Sequence, residues 1–341
     1  MKEALKKELY KIKDISVVIP TYNRPQYLER NLSNLLKIKT LPYEILVVDQ
    51  SEKDLSKKVC EKYKKKLKVP LKYLFSKVPS TSRAKNMGLK NADKRTKIVL
   101  FLDDDAYLLP NYLDKILEIY NNYPDAAGVK SFDFDKYKWY KNLSALKKTS
   151  FLIGQSIKKI LLLGNQIENG FIINSPYGNS SPLFINKIEK AMWFPGTDQS
   201  FKKEVLQKIS FDDHLIGWSL VEDIDITYRM SKAGYSLYET PFARLVHDHP
   251  ASELAINQII KRSYINQVMH YYFYRKNMPE HQIKYYFNLI VIFLLRFMGI
   301  FNPMKVKMNS KSFYYFLVSL AYTFKNRKKI AAGNIVIPKV G

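Results

Sequence analysis

The chain has 341 residues, of which 46% are hydrophobic, so it can form one large α/β domain with an appendage or two modest domains. This apolar content excludes wholesale disorder. The formal net charge of +25 calls for a partner of opposite charge, and the candidates are nucleic acid, an anionic membrane surface and a phosphorylated substrate. Cys60 is the only cysteine, which excludes an intrachain disulfide and fits a reducing compartment.

The first 14 residues, MKEALKKELYKIKD, are basic but include two glutamates. Secretory signals combine a basic start with a continuous apolar segment, and no such segment follows here. We therefore expect the main part of the chain to remain in the cytosol.

Strands and helices alternate over the first hundred residues. The predicted strands are apolar runs typical of strands buried on both faces, at residues 15–20 (ISVVIP), 44–49 (EILVVD) and 98–102 (IVLFL). The segments expected to be helical are 24–36, 57–67 and 82–92. This alternation predicts a right-handed, mostly parallel sheet flanked by helices.

The chain is less regular up to residue 250. Residues 130–190 include turn-forming sequences such as SPYGNSSP and predict loops, edge strands and an insert. Residues 196–209 and 218–233 predict loop-plus-helix units. Residues 235–246 predict one extended segment that ends at His247.

The composition changes after Pro250. Residues 251–284 predict an amphipathic helix, while 285–301 and 313–324 are strongly apolar. Each apolar run is shorter than the roughly 20 clean apolar residues that span a bilayer, and basic residues flank both. We expect a helical, partly apolar extension that inserts into one leaflet or packs as an ordinary helical subdomain.

Three consecutive aspartates, Asp103, Asp104 and Asp105, directly follow the third predicted strand. In an open parallel sheet, ligands bind at the carboxyl ends of the strands. The alternate carboxylates of Asp103 and Asp105 suit a hard divalent cation shared with a diphosphate. An acidic turn or a helix N-cap is the alternative explanation.

Two further acidic segments suit a nucleotide and a proton transfer. Asp49 ends the second strand and can accept hydrogen bonds from a ribose or a base, although a helix cap is an equal explanation. Glu222, Asp223 and Asp225 lie at the start of a predicted helix, where a carboxylate can act as general base. Stabilisation by the helix dipole explains the same acids without a function.

Histidine and basic residues complete the candidate set. Neutral imidazole is a common metal ligand, so His247 gains significance from its combination with the aspartates, although a lone histidine is more often a surface residue. Arg83 and Lys85, in SRAKNMGL, suit a diphosphate, or they are solvated helix charges.

Seven motifs, in this order and spacing, resemble those of family 2 glycosyltransferases, which have the GT-A fold. The likeness covers residues 14–250. The motifs are VVIPTYNR (17–24), EILVVDQSEKD (44–54), SRAKNMGL (82–89), VLFLDDDAYLLPNYL (99–113), FPGTDQSFKKEVL (194–206), EDIDITYRMSKAGY (222–235) and VHDH (246–249).

The resemblance implies a role for each matching residue. Contact with the nucleotide or its diphosphate is implied for Pro20, Thr21, Tyr22, Arg24, Asp49, Arg83, Lys85, Asp103 and Asp104. The metal is expected at Asp105 and His247, and Asp223 corresponds to the catalytic base. Glu222, Trp218 and Arg229 are expected to border the acceptor.

Two motifs depart from the family pattern. Many members have DDGS where this chain has residues 49–52 (DQSE), and many have an arginine at the position of Lys85. Lysine keeps the charge but loses the bidentate fork of arginine. Neither departure touches the expected base or metal ligands.

The resemblance implies an inverting glycosyltransferase with an α/β, Rossmann-like GT-A domain over residues 1–250 and the helical extension over 251–341. It implies a nucleoside-diphosphate sugar as donor, Mg²⁺ or Mn²⁺ as cofactor, and a glycan or lipid-linked acceptor in cell-surface polysaccharide or glycoconjugate synthesis. With the basic, apolar extension we expect an anionic membrane surface as partner, and a cytoplasmic, peripheral location at the inner face of the membrane.

Other classes stay open at this point. A basic polyanion- or nucleic-acid-binding protein without catalysis would explain the charge, but the basic residues are spread out and no nucleic-acid motif appears, so we expect no nucleic acid. A nucleotidyltransferase of similar fold should have a Gly- and Arg-rich first loop, which PTYNRPQY lacks. Loss of activity is opposed by the intact acids.

Overall fold

The structure is a computed structural model that describes residues 9–131, 141–160, 187–217, 221–248, 256–301 and 306–335. The strands in these ranges are Ile15–Thr21 (β1), Glu44–Asp49 (β2), Leu71–Phe75 (β3), Ile98–Leu102 (β4), Ala106–Leu108 (β5), Ala126–Ser131 (β6), Glu189–Ala191 (β7), Asp198–Lys202 (β8), Ser236–Thr240 (β9) and Leu245–His247 (β10). The helices are Pro25–Leu35 (α1), Leu55–Lys64 (α2), Thr81–Asn91 (α3), Tyr112–Asn122 (α4), Ala145–Ile160 (α5), Lys203–Lys208 (α6), Glu222–Lys232 (α7), Ile256–Asn277 (α8), Gln282–Gly299 (α9), Val306–Lys325 (α10) and Arg327–Ala331 (α11).

Eight of these strands form one mixed sheet in the order β3-β2-β1-β4-β8-β6-β9-β7. The first four are parallel neighbours, as the alternating pattern predicts. Strand β8 runs antiparallel to both β4 and β6, and β7 is antiparallel to β9. Strands β5 and β10 form a separate antiparallel ribbon. The α/β fold class is confirmed, and the reversed strand β8 is what makes the sheet mixed.

The two faces of the sheet are covered by different helices. Helices α1, α2 and α4 pack on one face, and α3 and α7 pack on the other. Strands β1, β2 and β4 are apolar throughout most of their length because both of their faces are buried. Helix α3 approaches β1 closely at Gly88, where an added Cβ would lie 2.3 Å from a methyl carbon of Val18.

The loop-plus-helix unit expected at residues 196–209 contains its helix, α6, but β8 occupies most of the expected loop. Its sequence, DQSFK, is mostly polar, so it lacks the apolar run of a central strand, yet every residue is buried. Its polar side chains have partners inside the protein: Asp198 accepts a hydrogen bond from Tyr112 Oη at 2.5 Å, and Ser200 donates to the Val129 carbonyl at 2.6 Å. Those partners come from distant elements.

The extended segment predicted at 235–246 is instead two strands, β9 and β10, that belong to different sheets. The helix predicted at 251–284 is also divided. Helix α8 ends at Asn277, Pro279–His281 forms a turn of 3-10 helix, and α9 begins at Gln282. Proline disfavours helical geometry in the residue before it, and Met278 is indeed non-helical.

Helix α8 is buried on all described sides between residues 267 and 274, so it is not amphipathic as expected. It forms a hydrophobic core with Val221 and Ile224 on one side and with Tyr285, Leu289 and Ile330 on the other. Residues before and after the predicted boundary at 250 therefore share one core.

Candidate active site

The three aspartates after β4 have different partners. Asp104 is fully buried and accepts hydrogen bonds from Thr21 Oγ1 at 2.7 Å and from the Arg24 guanidinium. Arg24 Nη1 also donates to Asp105 Oδ2 at 2.8 Å. Thr21 is the last residue of β1, and Arg24 directly precedes α1. Their hydrogen bonds therefore join the loop between β1 and α1 to the three aspartates.

Asp103, Asp105 and His247 form a group that could hold a metal ion, with one ligand atom from each lying within 4.8 Å of the others. His247 reaches the aspartates because β10 pairs with β5, which places His247 opposite Ala106. Its Nε2 lies 3.2 Å from Asp105 Oδ1. Two carboxylates and one imidazole are a donor set that suits Mn²⁺ and also accommodates Mg²⁺.

The pKa values of the three aspartates are shifted in different directions. Burial, together with the charge of Asp105, raises the pKa of Asp103 to about 7. Burial also raises the pKa of Asp104 to about 6, against the charge of Arg24. For Asp105, burial opposes ionisation, but the hydrogen bond with His247 and the charge of Arg24 outweigh it and lower the pKa. A cation between Asp103 and Asp105 would offset their repulsion.

A second acidic segment lies at the first turn of α7. Asp223 is mostly buried, and its Oδ1 accepts a hydrogen bond from the Ile224 backbone N–H at 2.8 Å. Burial raises the pKa of this carboxyl to about 6, against the charge of Lys85. The neighbouring Glu222 lies 3.9 Å from Lys85 Nζ through its Oε1.

Lys85 joins the two acidic segments. Its side chain is only 1% exposed, and its charge acts on the carboxyl groups of both Asp103 and Asp223. Asp103 also raises the pKa of Asp223, so the two carboxyl groups are electrostatic neighbours. Acids that lie far apart in sequence therefore converge on the buried ammonium group of Lys85.

The segment FPGTD, whose last residue begins β8, contacts both halves of the site. The Thr197 carbonyl accepts a hydrogen bond from the Asp103 backbone N–H at 3.0 Å, and Thr197 Oγ1 lies 3.4 Å from His247 Nδ1. A Cβ added to Gly196 would lie 3.3 Å from Asp223 Oδ2. The motif is recognisable in the sequence, but its residues were not predicted to belong to the site. The pairing of β8 with β4, which brings it here, is a long-range contact.

Asn31 is a second residue that the sequence patterns did not identify. It is buried in α1, and its side-chain amide donates to the carbonyls of Asp103 at 3.1 Å and Ala106 at 2.7 Å. It therefore holds the acidic turn in place. An asparagine among apolar helix positions was the only indication available.

Four of the residues predicted to contact the nucleotide lie at or next to the carboxyl ends of β1 and β2. Thr21 and Asp49 are partners in the pairing of β1 with β2, and Pro20 and Tyr22 flank Thr21. Asp49 is fully buried; its Oδ1 accepts from the Ser51 backbone N–H at 2.9 Å, and its Oδ2 accepts from Tyr73 Oη at 2.9 Å. The carboxylate is thus held rigidly at this edge.

Two predicted residues, Arg83 and Arg229, have their described hydrogen bonds outside the acidic cluster. Arg83 Nε donates to the Asp213 carbonyl at 3.2 Å. Arg229 donates to Asp225 Oδ2 at 2.8 Å and to the Ser210 carbonyl at 2.7 Å. Trp218 lies outside the described residues. The roles assigned to these side chains stay predictions.

The helix that carries Asp223 is held by the end of α8. Lys276 Nζ lies 2.9 Å from Asp225 Oδ1 and 2.5 Å from Asp212 Oδ2, and Asn277 Nδ2 donates to Asp225 Oδ1 at 2.8 Å. Burial opposes ionisation of Asp212, but Lys276 and a backbone N–H hold its pKa well below its usual range. The C-terminal region therefore supports the position of α7.

We expect Lys276→Met to destabilise the protein by roughly 3–5 kcal/mol, because it leaves two buried carboxylates without their shared cation. Urea unfolding measures the loss. The matched control is Lys232→Met, which removes an exposed pair with Glu280 at 3.7 Å and should cost at most about 1 kcal/mol. Equal losses for the two variants would contradict a buried anchoring role for Lys276.

Comparison with known proteins finds similarity to one family of glycosyltransferases. The family model for glycosyl transferase family 2 matches residues 16–174. The chain is 33% identical to poly(ribitol-phosphate) beta-N-acetylglucosaminyltransferase TarS of Staphylococcus aureus over 95 residues, which are 27% of this chain and 16% of that protein. It is 27% identical to GalNAc(5)-diNAcBac-PP-undecaprenol beta-1,3-glucosyltransferase of Campylobacter jejuni over 198 residues, which are 53% of this chain and 61% of that protein.

The chain thus spans less than two thirds of the length of either relative. In structure it is similar to mannosyltransferase PcManGT of Pyrobaculum calidifontis, with a TM-score of 0.52 and 16% identity, over 94% of this chain and 79% of that chain. This likeness concerns the fold, a mixed sheet flanked by helices. The chain therefore has the GT-A fold, and its residues 16–174 match the model of glycosyl transferase family 2.

Proposed function

We propose that the chain is a metal-dependent, inverting glycosyltransferase that uses a nucleoside-diphosphate sugar. The observation that carries this proposal is the convergence of a cation-capable group and a carboxylate of raised pKa around buried Lys85. A cation partner for the leaving diphosphate and a base for the acceptor are the two requirements of this reaction. Both would be met at the carboxyl edge of the sheet.

Asp105, His247 and Asp103 would hold the cation, which when bound offsets the charge of the leaving nucleoside diphosphate. The mixed oxygen and nitrogen donor set supports this assignment. The solved structure of the Pyrobaculum mannosyltransferase is a complex with GDP-Man and Mn²⁺, which agrees with a nucleotide-sugar donor and a divalent cation here. Asp49 and the first loop, with Thr21, would face the nucleoside.

Asp223 would take the proton from the acceptor hydroxyl. The hydroxyl oxygen then forms a bond to the anomeric carbon on the face opposite the leaving group, while the bond from that carbon to the phosphate oxygen breaks. The product has inverted configuration. Lys85 lies beside Asp223 and favours its ionised form. Gly196 leaves space beside the carboxylate, because a Cβ there would lie 3.3 Å from Asp223 Oδ2.

We expect kcat/KM to fall as the pH is lowered through about 6, since burial raises the pKa of Asp223 to about 6 and only the ionised form accepts a proton. The rate should be constant above this limb and fall about tenfold for each pH unit below it. The profile is measured at saturating Mn²⁺. A limb that moves with the Mn²⁺ concentration would report loss of metal and contradict the assignment to Asp223.

The acceptor is proposed to be a cell-surface glycan or a lipid-linked sugar, at the cytoplasmic face of a membrane. The names of the relatives describe transfer to poly(ribitol phosphate) and to an undecaprenol-linked glycan, which supports this class. Among the described helices, the segment Pro279–Ile300 is long and apolar enough to cross a membrane by length and composition. An anionic membrane surface would also match the net charge of +25.

A screen of nucleotide-sugars tests the proposal directly. We expect Mn²⁺-dependent thermal stabilisation by one class of nucleoside diphosphate and slow Mn²⁺-dependent hydrolysis of the corresponding sugar nucleotide. Plain RNA and DNA serve as the controls for non-specific binding to a basic protein. Tight, salt-sensitive binding of nucleic acid at physiological ionic strength, with no response to any sugar nucleotide, would favour the polyanion-binding alternative and overturn the proposal.

A further inference from the structure

One face of helix α9 is apolar and exposed along its whole length. We define the apolar stripe as Ile283, Phe287, Ile290, Leu294, Phe297 and, just after the helix, Phe301. These residues are spaced alternately by four and three positions, so they lie on one side of the helix. Each is between 44% and 87% exposed, and the ends of the stripe are the most exposed. Uncovered apolar surface of this extent marks an interaction site.

The opposite face of α9 is packed against the protein. Tyr285, Asn288 and Ile292 are at most 5% exposed, and Tyr285 lies 4.8 Å, centroid to centroid, from Tyr274 of α8. The stripe is therefore not a core surface left open by a loosely placed helix. Helix α9 thus has apolar residues on its outer face as well as on its packed face, whereas a helix on the surface of a soluble protein has a polar outer face.

Helix α9 is also fastened at both of its ends to α10. Tyr286 stacks near Phe324 at 6.3 Å, and the Gly299 carbonyl accepts a hydrogen bond from Asn309 at 2.6 Å. Arg296 Nη1 donates to Ser312 Oγ at 2.7 Å, so its guanidinium is directed towards α10 and away from the stripe. The charge of Arg296 is thus kept off the exposed face.

The charge of the C-terminal region identifies the partner. Residues 251–341 contain 14 Lys and Arg against two Asp and Glu, so they provide nearly half of the net charge of +25. Lys311, Lys325 and Lys329 are exposed on the helices beside α9. A second copy of this chain on the stripe would bring two such regions together, with strong repulsion. An anionic lipid leaflet would be attracted to them.

We propose that α9 lies in the plane of an anionic membrane and inserts the apolar stripe into one leaflet, without crossing the bilayer. A crossing helix would have to take α8 and α10 with it, because α9 contacts α8 through Tyr285 and is fastened to α10 at both ends. Helix α8 ends in Lys276 and Asn277, and Lys276 pairs with the buried Asp212 and Asp225. Moving this charged cluster into the bilayer interior would cost free energy. An interfacial helix keeps the cluster in water.

This arrangement specifies the kind of acceptor. Helix α9 begins at Gln282, one short turn after Lys276, whose side chain contacts Asp225 on the helix that carries Asp223. The proposed base is therefore connected to the lipid surface through two directly packed helices. The inference rests on the membrane location proposed above. It adds that the acceptor is a lipid-linked sugar, whose hydroxyl lies at the level of the lipid headgroups, and not a soluble glycan.

The first test is flotation of the full-length chain with vesicles of phosphatidylcholine, with and without phosphatidylglycerol. We expect binding to the anionic vesicles and at least about a tenfold loss of binding in the triple variant Ile290→Ser, Leu294→Ser, Phe297→Ser, because three inserted side chains would be replaced by polar ones. The control is Leu55→Ser, Leu146→Ser, Ile153→Ser, in which three residues of similar exposure lie on other helices. Equal binding by both variants would overturn the proposal.

The second test measures depth. Single cysteines at Ile283, Ile290 and Phe301, in a Cys60→Ser background, carry a fluorophore that is quenched by lipids brominated at known depths. Positions 283 and 301 are about 27 Å apart along a helix, close to the hydrocarbon thickness. A flat helix gives one depth for all three labels. A deep label at 290 with shallow labels at 283 and 301 would show a crossing helix and refute the in-plane arrangement.

Two further readouts separate this inference from its alternatives. Equilibrium sedimentation without vesicles tests for a second copy, and a dimer that the triple variant abolishes, with vesicle binding unchanged, would assign the stripe to self-association. Mn²⁺-dependent hydrolysis of the sugar nucleotide in vesicle-free buffer should be unchanged in the triple variant. This hydrolysis depends on the proposed catalytic site alone, so the two proposals fail separately.

Discussion

We expect Asp223→Asn to lower turnover by at least about a hundredfold, the scale of a lost general base, and to leave donor affinity largely unchanged. The substitution keeps the shape of the side chain and an oxygen that can accept the hydrogen bond from the Ile224 backbone N–H. It removes only the ability to accept a proton. Single-turnover kinetics with the donor found in the screen, together with calorimetric donor affinity, measure the two effects.

The matched control is Asp225→Asn, the same substitution two positions further along α7. Asp225 is 1% exposed and accepts hydrogen bonds from Lys276, Asn277 and Arg229, so its loss should weaken the fold while retaining most of the turnover of the folded enzyme. Asp223→Asn should show the reverse, a native melting temperature without turnover. Full turnover in Asp223→Asn would remove this residue from the mechanism.

The positions of Asp49 and of the three aspartates could be predicted from sequence because they follow from where strands end. The runs EILVVD and IVLFLDDD each give an apolar strand followed by an acid, and parallel neighbours place those acids at the same edge. The structure accordingly has Asp49 paired in register with Thr21, and Asp104 hydrogen-bonded to that same threonine. Local patterns suffice where the local element directs the side chain.

The residues that complete the site depend on contacts across the chain. His247 approaches Asp105 because two three-residue strands, far apart in sequence, pair with each other, and such short strands have no distinctive pattern. Strand β8 is polar and buried, which reverses the usual relation between hydrophobicity and position in a sheet. Its placement carries Gly196 and Thr197 into the site, so their contacts could not be predicted.

The C-terminal helices illustrate a different limit. The sequences of α8 and α9 are both rich in aromatic and apolar residues, and their patterns predicted an amphipathic first helix and an apolar second one. In the structure, the described residues of α8 from 267 to 274 are all buried, whereas α9 has one covered and one open face. Hydropathy measures the affinity of a segment for an apolar environment. It does not say whether protein or lipid provides that environment.

The second large effect is expected for Asp105→Asn, which should weaken Mn²⁺-dependent binding of the nucleoside diphosphate by at least about a hundredfold. Loss of an outer-shell partner already costs about 10–100-fold in metal affinity, and a direct ligand should cost more. Asp105 accepts from Arg24 Nη1 through Oδ2 and lies 3.2 Å from His247 Nε2 through Oδ1. An asparagine would direct its N–H₂ group at one of these two neighbours, so it also disturbs the ligand geometry.

Asp104→Asn is the control for this experiment, since it makes the same change at the adjacent position. Both carboxylate oxygens of Asp104 are already held by Thr21 and Arg24, and the residue is outside the cation-capable group. We expect it to lower stability and to retain Mn²⁺-dependent binding. Titration calorimetry of each variant, with and without Mn²⁺, distinguishes a lost ligand from a weakened fold. Asp105 is the one member of the described cation-capable group that contacts both Arg24 and His247, so its substitution should affect the group most. If the Asp105→Asn variant binds the nucleoside diphosphate with unchanged affinity in the presence of Mn²⁺, the metal role is refuted.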